Sequence, residues 1–205
     1  GRGSERDKNS RIDVPQEGSL RMDRTTANYF NYGTQSFNEI HLHNGEFLHN
    51  IGLRGQGMQI GMLDNGYFNY QNLKAFDSAR LQGQILGTWD FVSRESNVSN
   101  DGTHGMQCLS TIAANIPGQF IGKAPKAGFW LVRTEDDASE FPIEEHDWVC
   151  GAERADSSGS DVISSSLGYA DFDDPSFNYT YNDMNGNVTI AWRQGELRGR
   201  TYTPS

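Results

Sequence analysis

Residues 57–66 read Gly-Met-Gln-Ile-Gly-Met-Leu-Asp-Asn-Gly, a short apolar run from Met58 to Leu63 that delivers Asp64 to an Asn65-Gly66 turn. An apolar run of this length bounded by turn residues reads as a buried strand. Three further runs have the same character: Gly87–Val92, Gly128–Arg133 and Asp161–Leu167. Between them lie two stretches of helical composition. Residues 105–115 stop at the Pro117-Gly118 turn signal, and Ile143–Asp156 sets Val149, Ala152 and Ala155 at helical spacing. Strands alternating with helices of about 10–15 residues predict βαβ units, hence an α/β fold with a mostly parallel sheet covered on both faces. In such folds ligands and catalytic groups gather at the carboxyl edge of the sheet, where Asp64 stands.

The rest of the chain frames this core. Residues 1–24 carry six basic and five acidic side chains with almost no apolar periodicity and read as a flexible lead-in or pro-segment remnant. The aromatic and Asn-rich stretch 25–57 holds one helical candidate, Asn44–Ile51. The chain starts at Gly1 without an initiator Met, so a processed or fragmentary N-terminus is expected. With 17 basic against 27 acidic side chains the net charge is −10, which argues against a nucleic-acid partner, since phosphate contacts need clustered Lys and Arg. No apolar run approaches the roughly 18 residues of a membrane helix, so a membrane span is excluded. Cys108 and Cys150 have no metal-ligand spacing, and no metal site is assigned. They read as small buried hydrophobes on two helices, with a disulfide between them a minor alternative. From Thr134 to Ile190 there are 14 acidic residues and one basic residue, Arg154, which reads as a solvated acidic surface.

His104 follows Asp101-Gly102-Thr103 and opens the apolar helix beginning at Gly105. Taken singly, Asp64 is an ordinary turn residue and His104 a capping residue. Together they fit the base half of a nucleophilic triad, in which a carboxylate fixes one imidazole nitrogen and the other takes a proton from a hydroxyl. The chain order Asp then His is the order of subtilisin, one of several in which the triad recurs. Gly57–Gly66 is similar to the aspartate motif of subtilisin-like serine peptidases, and His104-Gly-Met-Gln-Cys-Leu-Ser-Thr-Ile-Ala-Ala114 resembles their histidine motif. Gly122–Ala127 before one strand and Ser166-Leu-Gly168 after another resemble two further blocks in the right order, and Arg133–Asp136 with Glu144-Glu145 resemble a secreted bacterial branch.

That resemblance implies a subtilisin-like three-layer α/β fold over residues 25–190, incomplete at its C-terminal end. It implies a serine endopeptidase, secreted or in the cell envelope, acting on polypeptides without a catalytic cofactor. Asp64 would orient His104, His104 would act as base and then acid, and Ser166, Leu167 and Gly168 would pair with an extended peptide by strand addition. One branch of the family also carries a cysteine at the position of Cys108, beneath the imidazole. Met106 and Gln107 depart from the usual pattern at positions that donate no catalytic atoms. Neither the family's oxyanion Asn block nor its Gly-Thr-Ser nucleophile block occurs, and the basic tail 191–205 matches no block. Ser164, Ser165 and Ser166 are rejected as nucleophiles because no tight strand-to-helix turn follows them. The chain alone is therefore expected to be inactive.

Other features point elsewhere. The glycines Gly52, Gly55, Gly57 and Gly61 hint at a dinucleotide loop, but Gly52, Gly55 and Gly57 precede the strand that the fingerprint requires them to follow. Asp183–Asn187 begins like a calcium loop but lacks the closing Glu, leaving an Asx-rich turn. Asn97, Asn178 and Asn187 meet the glycosylation pattern and mark exposed polar loops. Two alternatives stay open beside the peptidase: a degenerate, non-catalytic α/β module that binds peptides, and a calcium-binding surface protein, for which structural calcium would fit the acidity.

Overall fold

The computed structural model describes residues 28–138 and 143–168 in full and the backbone of 179–180 and 190–192. The lead-in over 1–24, the Asp183–Asn187 turn, the acceptor patterns at Asn178 and Asn187 and the tail beyond Trp192 lie outside these residues.

In chain order the described elements are α1 (Gly33–His41), α2 (Gly45–Asn50), β1 (Gln59–Asp64), a 3-10 turn at Lys74–Phe76, α3 (Asp77–Leu81), β2 (Ile85–Asp90), α4 (His104–Ala113), β3 (Asn115–Ile116), β4 (Phe120–Ile121), β5 (Gly128–Arg133), α5 (Ile143–Ser157), β6 (Val162–Ser165), β7 (Tyr179–Thr180) and β8 (Ile190–Trp192). Strands β2, β5, β1 and β6 form one parallel sheet in that order, with Asp64 in register with Arg133. Strand alternation sorts the side chains into two cores. Met62, Phe129 and Leu131 pack with Leu109 and Ala113 of α4 on one face. Leu63 and Val132 pack with Ala155, Ala152 and Trp148 of α5 on the other. The architecture is the expected three layers, α4 and α5 sandwiching a parallel sheet. Helix α5 can approach β1 closely because residue 61 is glycine: a Cβ there would lie 2.7 Å from Ala155 Cβ.

The apolar runs place β1 and β5 to within a residue, whereas other elements shift. Strand β2 occupies 85–90 rather than 87–92: Asp90 is its last ladder residue, opposite Arg133, and the chain turns beyond it so that Glu95 pairs back with Asp90. Strand β6 spans only 162–165, so Ser166, Leu167 and Gly168 continue past the end of the ladder. Val149 is half exposed, since α5 instead turns Trp148, Gly151, Ala152 and Ala155 toward the sheet. Cys108 and Cys150 are both free thiols on helices that lie on opposite faces of the sheet, which prevents their pairing.

The helix expected over 44–51 is present as α2, with Asn44 and Ile51 at its two caps, and α1 precedes it unannounced by the sequence. Low intrinsic propensity hides α1, which is held by long-range contacts. Ser36 donates to the Tyr32 carbonyl and accepts from the Ile121 amide, and Ile40 packs with Phe30, Tyr32 and Ile121. His49 of α2 is buried between the Tyr32 hydroxyl and the Lys123 carbonyl, each 2.8 Å away. A carbonyl only accepts, so Nε2 carries the proton and Nδ1 accepts from Tyr32.

Candidate active site

Asp64 ends β1 at the carboxyl edge of the sheet and is only 2% exposed, while the His104 side chain is 50% exposed at the first position of α4. The Asp64 Oδ1 atom accepts from His104 Nδ1 at 2.7 Å and from the Asn65 amide at 2.8 Å. Since a carboxylate only accepts, the shared proton belongs to Nδ1; in the neutral imidazole Nε2 is then the nitrogen with the free lone pair. The pair is reached across 40 residues of sequence because Gly105 lets the helix start touch the strand end. A Cβ at residue 105 would lie 2.7 Å from Asp64 Cβ and would collide with the Gly66 carbonyl.

Cys108, one helical turn below, puts its Sγ 3.8 Å from both ring nitrogens of His104, so the sulfur rests against the ring rather than in line with one N–H. Burial pushes its thiol above the ordinary range, partly offset by a hydrogen bond from the Ser166 hydroxyl. The expectation of a fully buried cysteine gives way to a partly buried one that lines a cavity. That cavity, of about 220 Å³, is bounded by His104, Gln107, Cys108, Thr111, Ile112, Ser164 and Ser166. Strand alternation divides the three serines. Ser164 and Ser166 face this cavity, whereas Ser165 turns to the other face and accepts from Trp148 Nε1 at 2.8 Å. Leu167 is partly exposed, and at Gly168 a side chain would meet nothing within 4 Å. Of the segment Ser166–Gly168, Ser166 lines the cavity with His104, and Leu167 and Gly168 follow it with open space at Gly168.

Three contributors escape the sequence reading. Asn65 accepts on Oδ1 from the Gly105 amide at 3.1 Å and donates from Nδ2 to both Asp137 oxygens at 2.8 Å. Arg133 donates from Nε to the Asn65 carbonyl at 3.0 Å and from Nη1 to Asp90 at 3.0 Å, with Asp101 at 3.7 Å and Asp136 at 3.4 Å. Asp90, Glu95 and Asp101 bring carboxylate oxygens within 4.8 Å of one another. The guanidinium of Arg133 already supplies positive charge there, so this cluster does not fit a calcium ion. Asp64, His104 and Cys108 also bring donor atoms within 4.8 Å, with one atom of Asp64 and one of His104 engaged in their mutual hydrogen bond.

The model of the subtilase family matches residues 55–198, well over half of the chain. The chain belongs to the subtilase family. Thermitase from Thermoactinomyces vulgaris is 32% identical over 119 residues, a stretch that takes in 56% of this chain and 38% of thermitase. The chain therefore spans well under half the length of this relative. As a subtilase it has the subtilisin-like fold, with the parallel sheet and flanking helices described above. Among its described residues no helix is long and apolar enough to cross a membrane.

Proposed function

We propose that this subtilase chain carries the base half of a serine endopeptidase. The observation that carries the reading is the 2.7 Å hydrogen bond between Asp64 and Nδ1 of His104, a half-exposed side chain that lines a cavity, so that in the neutral imidazole Nε2 is the nitrogen able to take a proton. In this mechanism His104 Nε2 takes the proton of a serine hydroxyl as that oxygen attacks a peptide carbonyl. The proton then passes to the leaving amine, and Asp64 stabilises the imidazolium in between. Ser166, which lines the cavity with His104, and the following Leu167 and Gly168 would pair with the backbone of a peptide, a mode that reads side chains weakly and favours broad specificity. On this reading residues 25–190 contribute part of a peptidase domain that acts outside the cytoplasm on polypeptides, in keeping with the likeness to a secreted branch.

No block for a nucleophile or an oxyanion donor is found in the sequence, so this chain by itself is expected to be inert. Losing a single oxyanion donor costs about 10²–10³ in turnover, and here the nucleophile is missing as well. The test incubates the purified chain with an unfolded protein and with a fluorophosphonate probe for activated serines. Neither cleavage nor labelling is expected. Stoichiometric labelling would locate a nucleophile within this chain, with Ser164 and Ser166 the first to examine. Saturable peptide binding, coupled with no hydrolysis when the chain is joined to a subtilase nucleophile block, would favour the non-catalytic module.

A further inference from the structure

The first amides of a helix lack intrahelical acceptors, and a cap normally comes from the residue just before the helix. In α4 that residue, Thr103, makes no side-chain cap. The acceptor comes instead from 40 residues away: Asn65 Oδ1, beside Asp64, takes the Gly105 amide at 3.1 Å in a buried contact. Asn65 is itself only 8% exposed, and its main chain is held on both sides, by Asp64 Oδ1 at its amide and by Arg133 Nε at its carbonyl.

An asparagine amide can face either way, and in one of the two orientations it would present its NH₂ to the Gly105 N–H. Asp137 removes that choice. Both of its carboxylate oxygens lie 2.8 Å from Nδ2, and since they can only accept, the NH₂ must point to Asp137 and the oxygen to Gly105. A closed ring results: Asp64 to Asn65 through the chain, Asn65 to Gly105 by the cap, Gly105 to His104 through the chain, and His104 back to Asp64 by the 2.7 Å bond. Cutting the ring at the cap frees the start of α4 to slide relative to the end of β1. Displacements of about 1 Å at a reacting pair can cost on the order of 10²-fold in rate.

We infer that Asn65 and Asp137 form a positioning clamp that fixes the first turn of α4, and with it the His104 imidazole, against the Asp64 carboxylate. The inference rests on the reading of Asp64 and His104 as the catalytic pair. Asn65 does not touch the reacting atoms, and Asp137, an exposed residue, acts only through Asn65.

The test follows the His104 Nδ1 proton by NMR in the isotope-labelled chain, together with thermal melting. In Asn65→Ala and Asp137→Ala, the Nδ1 proton should exchange with solvent about tenfold faster or broaden beyond detection, as expected when local opening becomes easier. Asn65→Asp alone should do the same by placing two carboxylates face to face. The double change N65D/D137N conserves net charge and reverses the donor: the carboxylate introduced at position 65 accepts both from the Gly105 amide and from the side-chain amide introduced at position 137. It should restore slow exchange. Asp137→Ala guards against misfolding, because it removes a surface side chain. Unchanged exchange in Asn65→Ala and Asp137→Ala, even with lowered melting temperatures, would reduce the pair to a stabilising role and overturn the clamp. Asp64→Asn probes the pair alone: if it leaves the Nδ1 proton as slow as in the native chain, the catalytic reading fails and takes the clamp with it.

Discussion

Replacing Arg133 with methionine should destabilise the chain by about 3–5 kcal/mol, the usual cost of removing one partner from a buried ion pair. Its side chain is 7% exposed and its closest carboxylate, Asp90, is fully buried at 0%. Methionine fills most of the volume, so the loss is electrostatic rather than a cavity. Among the described residues Asp90 would be left with the Ser93 amide as its side-chain donor, and the Asn65 carbonyl would lose its donor. Asp101 and Asp136 are 31% and 37% exposed and can turn to water, so their share is small. Asp90→Asn removes the stranded charge while keeping the oxygen that accepts from Ser93. In that background Arg133→Met should cost at least about 1.5 kcal/mol less, the scale of a hydrogen bond to a charged group. The assay is urea denaturation of the four proteins in a double-mutant cycle. Where Arg133→Met leaves too little folded protein to measure, Arg133→Lys retains the charge and loses the fork. A cost under about 1 kcal/mol, or the same cost with Asp or Asn at position 90, would refute the argument.

Gly105→Ala should lower stability by about 1–3 kcal/mol, because the new Cβ meets Asp64 Cβ at 2.7 Å between backbone segments that cannot yield; a neutral effect on the urea midpoint would show that the helix start is looser than described. The contact between the N-terminal helices and the core should weaken at both ends of the pH scale. Burial, aided by Arg54, holds the His49 imidazole below its ordinary 6.5 against the opposing Lys123 carbonyl and Glu46, so this stability is present above pH 6.5 and lost as the pH falls. Burial, aided by Glu46, pushes the Tyr32 hydroxyl up to about 12 against the opposing Arg54, so its contribution holds below pH 10 and fades as the pH climbs toward 12. Melting curves of the native chain and of His49→Gln between about pH 5 and 8 should converge on acidification; parallel curves would show that His49 does not govern the acid limb.

How much of this is legible in the sequence depends on the range of the interactions involved. Strands β1 and β5 are continuous apolar runs ending in charged residues, so composition locates both the strands and the carboxylate at the sheet edge. Helix α4 and His104 follow from an apolar stretch with a clear stop. Helix α1 offers no such signal, since Ser36 and Ile40 stabilise it through Ile121, which lies 85 residues beyond Ser36. Asn65 reads as half of a turn because its partners, Gly105 and Asp137, are 40 and 72 residues distant. One further signal does lie in the sequence: a strand has a period of two, so Ser164 and Ser166 share a face and Ser165 leaves it.

The central claim is that Asp64 and His104 work as one proton-transferring unit, and hydrolysis by a polypeptide in which this chain is joined to a subtilase nucleophile block tests it most directly. His104→Ala should lower turnover of an unfolded protein substrate by about 10⁴–10⁶-fold, and Asp64→Asn by about 10⁴-fold, with the circular dichroism spectrum unchanged. Near-normal turnover in the His104→Ala variant would contradict the account.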